Sequence, residues 1–132
     1  MIIIDIECVY SIEKKLLVKE LAIVSEKHVG CFHVRVPFNS QLPPTTSEAY
    51  KTNEWLKCQR HGLDWKSGNL SMQQVVKLLQ PLLTEQVYAK GNQKCKLLEK
   101  LLHISVVDLE LYQCPRIVDL KTEAQRCVVL VN

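Results

Sequence analysis

A chain of 132 residues that is 47% hydrophobic and 23% charged suits one small globular domain, and an aromatic share of only 6% leaves Leu, Ile and Val to build its core. Seventeen Lys and Arg against 14 Asp and Glu give a net charge of +3, which permits nucleic-acid contact but is too small an excess to argue for it. No apolar run approaches the roughly 18 residues of a membrane-spanning helix, which excludes that class.

The chain opens on strands. Ile2-Ile3-Ile4-Asp5-Ile6-Glu7 starts as a continuous apolar run and ends in alternation, the pattern of a central strand whose far end meets a polar site. Lys15 to Val24 is a second strand. Gly30 to Val36 is a third, with Cys31, His33 and Arg35 alternating with Phe32, Val34 and Val36. Short linkers between them favour an antiparallel meander. Pro37 closes the third strand, Asn39 to Thr46 is a loop stiffened by Pro43-Pro44, Ser47 to Cys58 reads as a helix, and His61 to Asn69 reads as a loop.

Helices and strands alternate in the second half. Ser71-Met72-Gln73-Gln74 is a capping box opening a helix whose apolar face is Val75, Val76, Leu78, Leu79, Leu82 and Leu83, and Pro81 kinks or ends it. Gln86 to Lys90 is a short strand. Asn92 is suited to cap a further helix that buries Cys95, Leu97, Leu98, Leu101 and Leu102. Ser105 to Leu109 is a fifth strand, and beyond Pro115 the stretch Thr122 to Leu130 forms a last helix or a short extended run. The order β-β-β-α-β-α-β-α predicts one α/β domain over residues 1–132, a mixed five-stranded sheet with helices on its faces.

Six cysteines are present, and Met1 leads into Ile2-Ile3-Ile4 without the charged and apolar regions of a secretory leader. Free thiols and an intracellular setting, cytoplasmic or nuclear, are therefore expected.

Alternation places Asp5 and Glu7 on one face of the first strand, roughly 6.5 to 7 Å apart. Two carboxylates so placed can hold divalent ions for phosphodiester hydrolysis, or can simply face solvent. His61-Gly62-Leu63-Asp64-Trp65 either completes a substrate pocket or is a loop pinned by a buried Trp65, with Gly62 and Gly68 as turns; the second is favoured. Asp64, and more weakly Asp108 and Asp119, are the further acids that could approach the pair of Asp5 and Glu7. Zinc is disfavoured, because Cys58-Gln59-Arg60-His61 and Cys31-Phe32-His33 are single pairs, whereas zinc sites show two close pairs. A cysteine nucleophile is disfavoured too, since no Cys lies beside both a His and an orienting acid.

Asp-x-Glu closing a first strand, followed by this order of elements, resembles the DEDD exonucleases of ribonuclease H fold, especially the type with a histidine in its last motif. Leu17-Val18-Lys19-Glu20-Leu21-Ala22-Ile23, Trp55-Leu56, His61 to Gly68, Tyr88-Ala89-Lys90-Gly91, Leu109-Glu110 and Cys114-Pro115 resemble short proteins of arthropod genomes and associated mobile or viral elements, degenerate relatives of that fold. The resemblance implies four acidic ligands and two metal ions, Mg²⁺ or Mn²⁺. Asp5 and Glu7 match the first motif. Where the second motif places an acid, this chain has Lys90, Gly91, Asn92, Gln93, Lys94 and Cys95. The general-base histidine is missing, since His103 is the last histidine and precedes the final helix. A lysine from the chain is then expected to neutralise Asp5 and Glu7 in place of a metal, with no cofactor bound. Three roles follow: a catalytically degenerate module binding single-stranded RNA or DNA, with Lys90, Lys94 and Lys96 on the backbone, or binding protein; an active metal-dependent 3′-5′ exonuclease; or a structural, homodimerising domain.

Overall fold

The computed structural model describes residues 1–112. The element order is β1 (Ile2–Tyr10), β2 (Leu16–Ser25), β3 (Val29–His33), α1 (Glu48–Leu56), α2 (Met72–Leu79), β4 (Val87–Ala89), α3 (Asn92–Leu102) and β5 (Val106–Asp108). The expected last helix at Thr122 to Leu130 lies outside the described residues.

The five strands form one mixed sheet in the order β3-β2-β1-β4-β5. β1 pairs antiparallel with β2 and parallel with β4; β2 pairs antiparallel with β3, and β4 parallel with β5. β1 is central, as its run of isoleucines implied. Ile2, Ile4 and Ile6 point to one face, where they join Leu21 and Ile23 of β2, Val75 and Leu79 of α2, and Cys95, Leu98 and Leu102 of α3 in a single buried cluster. Ile3, Asp5 and Glu7 point to the other face, where Ile3 and Asp5 are exposed. β1 is thus sided by its own period of two: three isoleucines anchor it, and the intervening carboxylates face outward.

Two helices occupy the connection between the third and fourth strands, at the two stretches read as helical, although the order β-β-β-α-β-α-β-α counts only one there. α1 is capped by Ser47 and runs on into a π-helical turn, Lys57–His61, closed by Gly62 at φ 68°. α2 opens on the predicted capping box, with Ser71 accepting from the Gln74 amide and the Gln74 side chain accepting from the Ser71 amide. It ends at Leu79, and Pro81 falls in a following 3₁₀ turn, Gln80–Leu82, because a proline nitrogen cannot extend the α-helical ladder.

Two local expectations are corrected. β3 stops at His33, not Val36, because the chain beyond it pairs with a loop: Asn69 and Leu70 both donate to the His33 carbonyl, and the Arg35 amide donates to that of Leu70. Asn92 is the first residue of α3 and not its cap. Gly91, at φ 105°, takes that position, which no side chain could adopt without strain. Cys8, Cys31, Cys58 and Cys95 are free thiols, as expected for four of the six.

Candidate functional site on the exposed sheet face

Asp5 lies near the centre of the sheet, on the face opposite the main core. β4 pairs with β1 through Ile2↔Val87 and Ile3↔Tyr88, the chain then turns at Gly91, and the first turn of α3 carries Lys94 to Asp5. Lys94 Nζ stands 2.8 Å from Asp5 Oδ1, with the two side chains 36% and 59% exposed. This is a charge-assisted hydrogen bond of good length, though solvent screening holds its worth to about 1 kcal/mol or less. Glu7 is half-buried one step along, on the same face.

The other acids considered from the sequence do not gather here. Asp64 pairs with Lys57 at 3.7 Å. Asp108 ends β5, and its Oδ1 accepts from the Gly91 amide at 2.9 Å and the Glu110 amide at 3.0 Å. It holds the β4–α3 turn in the conformation that delivers Lys94. Asp119 lies outside the described residues. A pair of divalent ions needs several carboxylate oxygens around it. Two carboxylates on one strand, one of them bonded to an ammonium, do not fit such a pair among the described residues. Of the three lysines, Lys94 is bonded to Asp5, and Lys90 directly follows β4. Lys96, two residues further along α3, is exposed and turned about 200° around the helix from Lys94.

The far end of β1 is tied down by two side chains. Asn53 of α1 accepts from the Tyr10 amide at 2.7 Å and donates to the Tyr10 carbonyl at 2.9 Å, pairing with the strand as another strand would. His61 Nδ1 accepts from the Leu63 amide at 2.9 Å, so Nε2 carries the proton and donates to the Cys8 carbonyl at 3.2 Å. Both imidazole nitrogens are engaged with backbone, which makes His61 a loop anchor and not a base.

Trp65 is buried, and Gly62 and Gly68 both sit at positive φ, so the favoured account of the loop holds. A further residue ties that loop to the sheet. The β1–β2 register slips between Glu7 and Cys8, leaving Lys19 as the extra residue of a bulge. Its side chain is buried, and its ammonium donates to the carbonyls of Trp65, at 3.1 Å, and Ser67. Burial pulls the Lys19 ammonium below the ordinary lysine range, with nearby Asp64 opposing the shift. Nothing in the alternation of β2 announces this role, because Val18 and Lys19 are both buried only where a bulge breaks the period.

Burial also pushes the Cys8 thiol up to about 12; Lys94 acts against that shift, and the charges of Glu7 and Asp5 add to it. Cys8 beside the site is therefore inert as a nucleophile. In the native protein at pH 8, exposed Cys58 is expected to alkylate readily, Cys31 more slowly because desolvation and the charge of Glu20 push its thiol up, and Cys8 only on unfolding. Peptide mapping after brief iodoacetamide treatment checks this, and prompt labelling of Cys8 would contradict its burial.

No helix among the described residues is long and apolar enough to cross a membrane. Comparison of the chain with models of protein families, with curated proteins and with solved structures found no match.

Proposed function

We propose that this chain is a catalytically degenerate exonuclease-like module of ribonuclease H type that binds single-stranded nucleic acid without cutting it. The observation that carries the reading is the Lys94–Asp5 contact at 2.8 Å: the ammonium stands where a divalent ion would have to bind. A bound metal would meet a fixed positive charge, and Asp5 would exchange one cation for another. The sheet order β3-β2-β1-β4-β5, with three antiparallel strands followed by parallel crossovers, supports the ribonuclease H-type reading. Lys94, partly exposed beside Asp5, and Lys90 are the residues proposed to contact a phosphate backbone.

Incubation with single-stranded RNA and DNA in Mg²⁺ and in Mn²⁺ tests the proposal. The expected result is intact substrate and a gel shift that weakens as salt rises. Replacing Lys90 and Lys94 by alanine should weaken binding and lower the salt slope by about one per lysine. Metal-dependent degradation abolished by Asp5→Asn would overturn the proposal in favour of an active exonuclease. Absence of any shift, with a size in solution that grows with concentration, would replace it with a dimerising domain.

A further inference from the structure

We propose that Glu20, Cys31 and His33 form a binding site for a zinc-class transition-metal dication at the outer edge of the sheet, independent of the Asp5–Lys94 pair. Cys31 and His33 stand two residues apart on β3 and so share a face. Glu20 of β2 is the cross-strand partner of His33 and hence the diagonal neighbour of Cys31. The thiol sulfur, a carboxylate oxygen and an imidazole nitrogen all lie within 4.8 Å of one another. His33 Nδ1 is 3.5 Å from Glu20 Oε2. That is longer than the ~2.9 Å of an ordinary N–H···O hydrogen bond. It matches the roughly 3.4 Å between two ligands each about 2.1 Å from a tetrahedral zinc. Cys31 Sγ, within 4.8 Å of the other two donors, would stand about 2.3 Å from the same centre when the metal is bound.

The donor set selects the metal. One sulfur, one nitrogen and one oxygen suit Zn²⁺ or Co²⁺, whereas Mg²⁺ and Ca²⁺ take oxygen ligands. A carboxylate and a thiolate together cancel the charge of the dication. Three protein ligands leave a fourth position for water or another small ligand, the arrangement of an open site and not of a closed structural one. The ligands span β2 and β3, so the metal also clips the edge strand to the sheet. From the sequence, Cys31-Phe32-His33 was one isolated pair; strand pairing adds Glu20, eleven residues upstream.

Titration of the intact chain with Co²⁺ tests the site. The expected result is a near-ultraviolet sulfur-to-cobalt charge-transfer band that saturates at one equivalent and is bleached by Zn²⁺. Cys31→Ser should abolish the band, while Cys58→Ser and Lys94→Ala leave it intact. His33→Ala and Glu20→Gln should each weaken binding by at least the roughly 10- to 100-fold lost on removing outer-shell partners. Circular dichroism of each variant confirms that it is folded. No charge-transfer band, a band that survives Cys31→Ser, or affinity indifferent to His33→Ala would each overturn the site and leave Glu20 and His33 as a cross-strand contact.

Discussion

Replacing Lys19 by methionine is expected to destabilise the fold by about 3 kcal/mol and to release Trp65 from its buried position. Methionine nearly matches the length and volume of the lysine stem, so the change removes the ammonium and little else. Two backbone carbonyls, of Trp65 and Ser67, then lose their donor. An unsatisfied buried acceptor costs about 1 to 3 kcal/mol, and bonds to a charged donor lie at the upper end. Against this stands the desolvation of the ammonium, which the substitution relieves. The Trp65 carbonyl decides the sign, because its bond to Lys19 is buried, whereas Ser67 is exposed and its carbonyl can reach water. Denaturant unfolding measures the first effect. Trp65 fluorescence, recorded in a Trp55→Phe background because Trp55 is exposed, measures the second. Unchanged stability with an unshifted Trp65 spectrum would show that Lys19 does not hold the loop.

Gly68→Ala is expected to cost still more, about 4 kcal/mol. Gly68 sits at φ 113°, a conformation that is strained for any residue with a side chain. A Cβ there would also fall 2.3 Å from the Val34 carbonyl oxygen and 2.7 Å from the Arg35 amide nitrogen, both backbone atoms that cannot rotate away. Relieving the clash means separating the loop from the end of β3 and giving up the bonds from Asn69 and Leu70 to His33. Gly62→Ala is the control: its φ of 68° is also positive, but nothing lies within 4 Å of the added Cβ, so it should cost about 1 kcal/mol. Equal losses at the two glycines would mean that backbone strain, and not the contact with Val34, sets the effect.

Lys19 and Gly68 bear on the candidate site through one route. The loop they anchor also carries His61, which holds the β1 backbone at Cys8, next to Glu7. The exposed face at Asp5 and Glu7 is therefore backed by a tethered loop on one side and by the Asp108-held turn before α3 on the other.

Much of this arrangement was legible in the residues themselves. Strand periodicity in Ile2 to Glu7 set which side chains face the core, and the capping box at Ser71 and Gln74 set where α2 begins, because both are local effects of backbone geometry. The succession of three strands and then alternating helices and strands led to the mixed five-stranded sheet. The lysines after β4, Lys90 and Lys94, anticipated the ion pair at Asp5. Local pattern was a poorer guide to ends and caps: Gly91 displaced Asn92 as the cap of α3, and a loop 36 residues downstream of His33 cut β3 short, a contact no window of neighbouring residues contains.

What the sequence determined by itself is the alternation that puts Asp5 and Glu7 together on one face of a central strand, and the scarcity of acids to join them. Tertiary structure alone decided which cation meets Asp5, since Lys90 and Lys94 were both candidates until the helical turn carried Lys94 to it. It also decided that Lys19 is buried and that Glu20 stands beside Cys31 and His33. The physical reason is the same in each case: a bulge, a crossover and a strand register bring together residues far apart along the chain, and side-chain period records only which way a residue points, not what waits there.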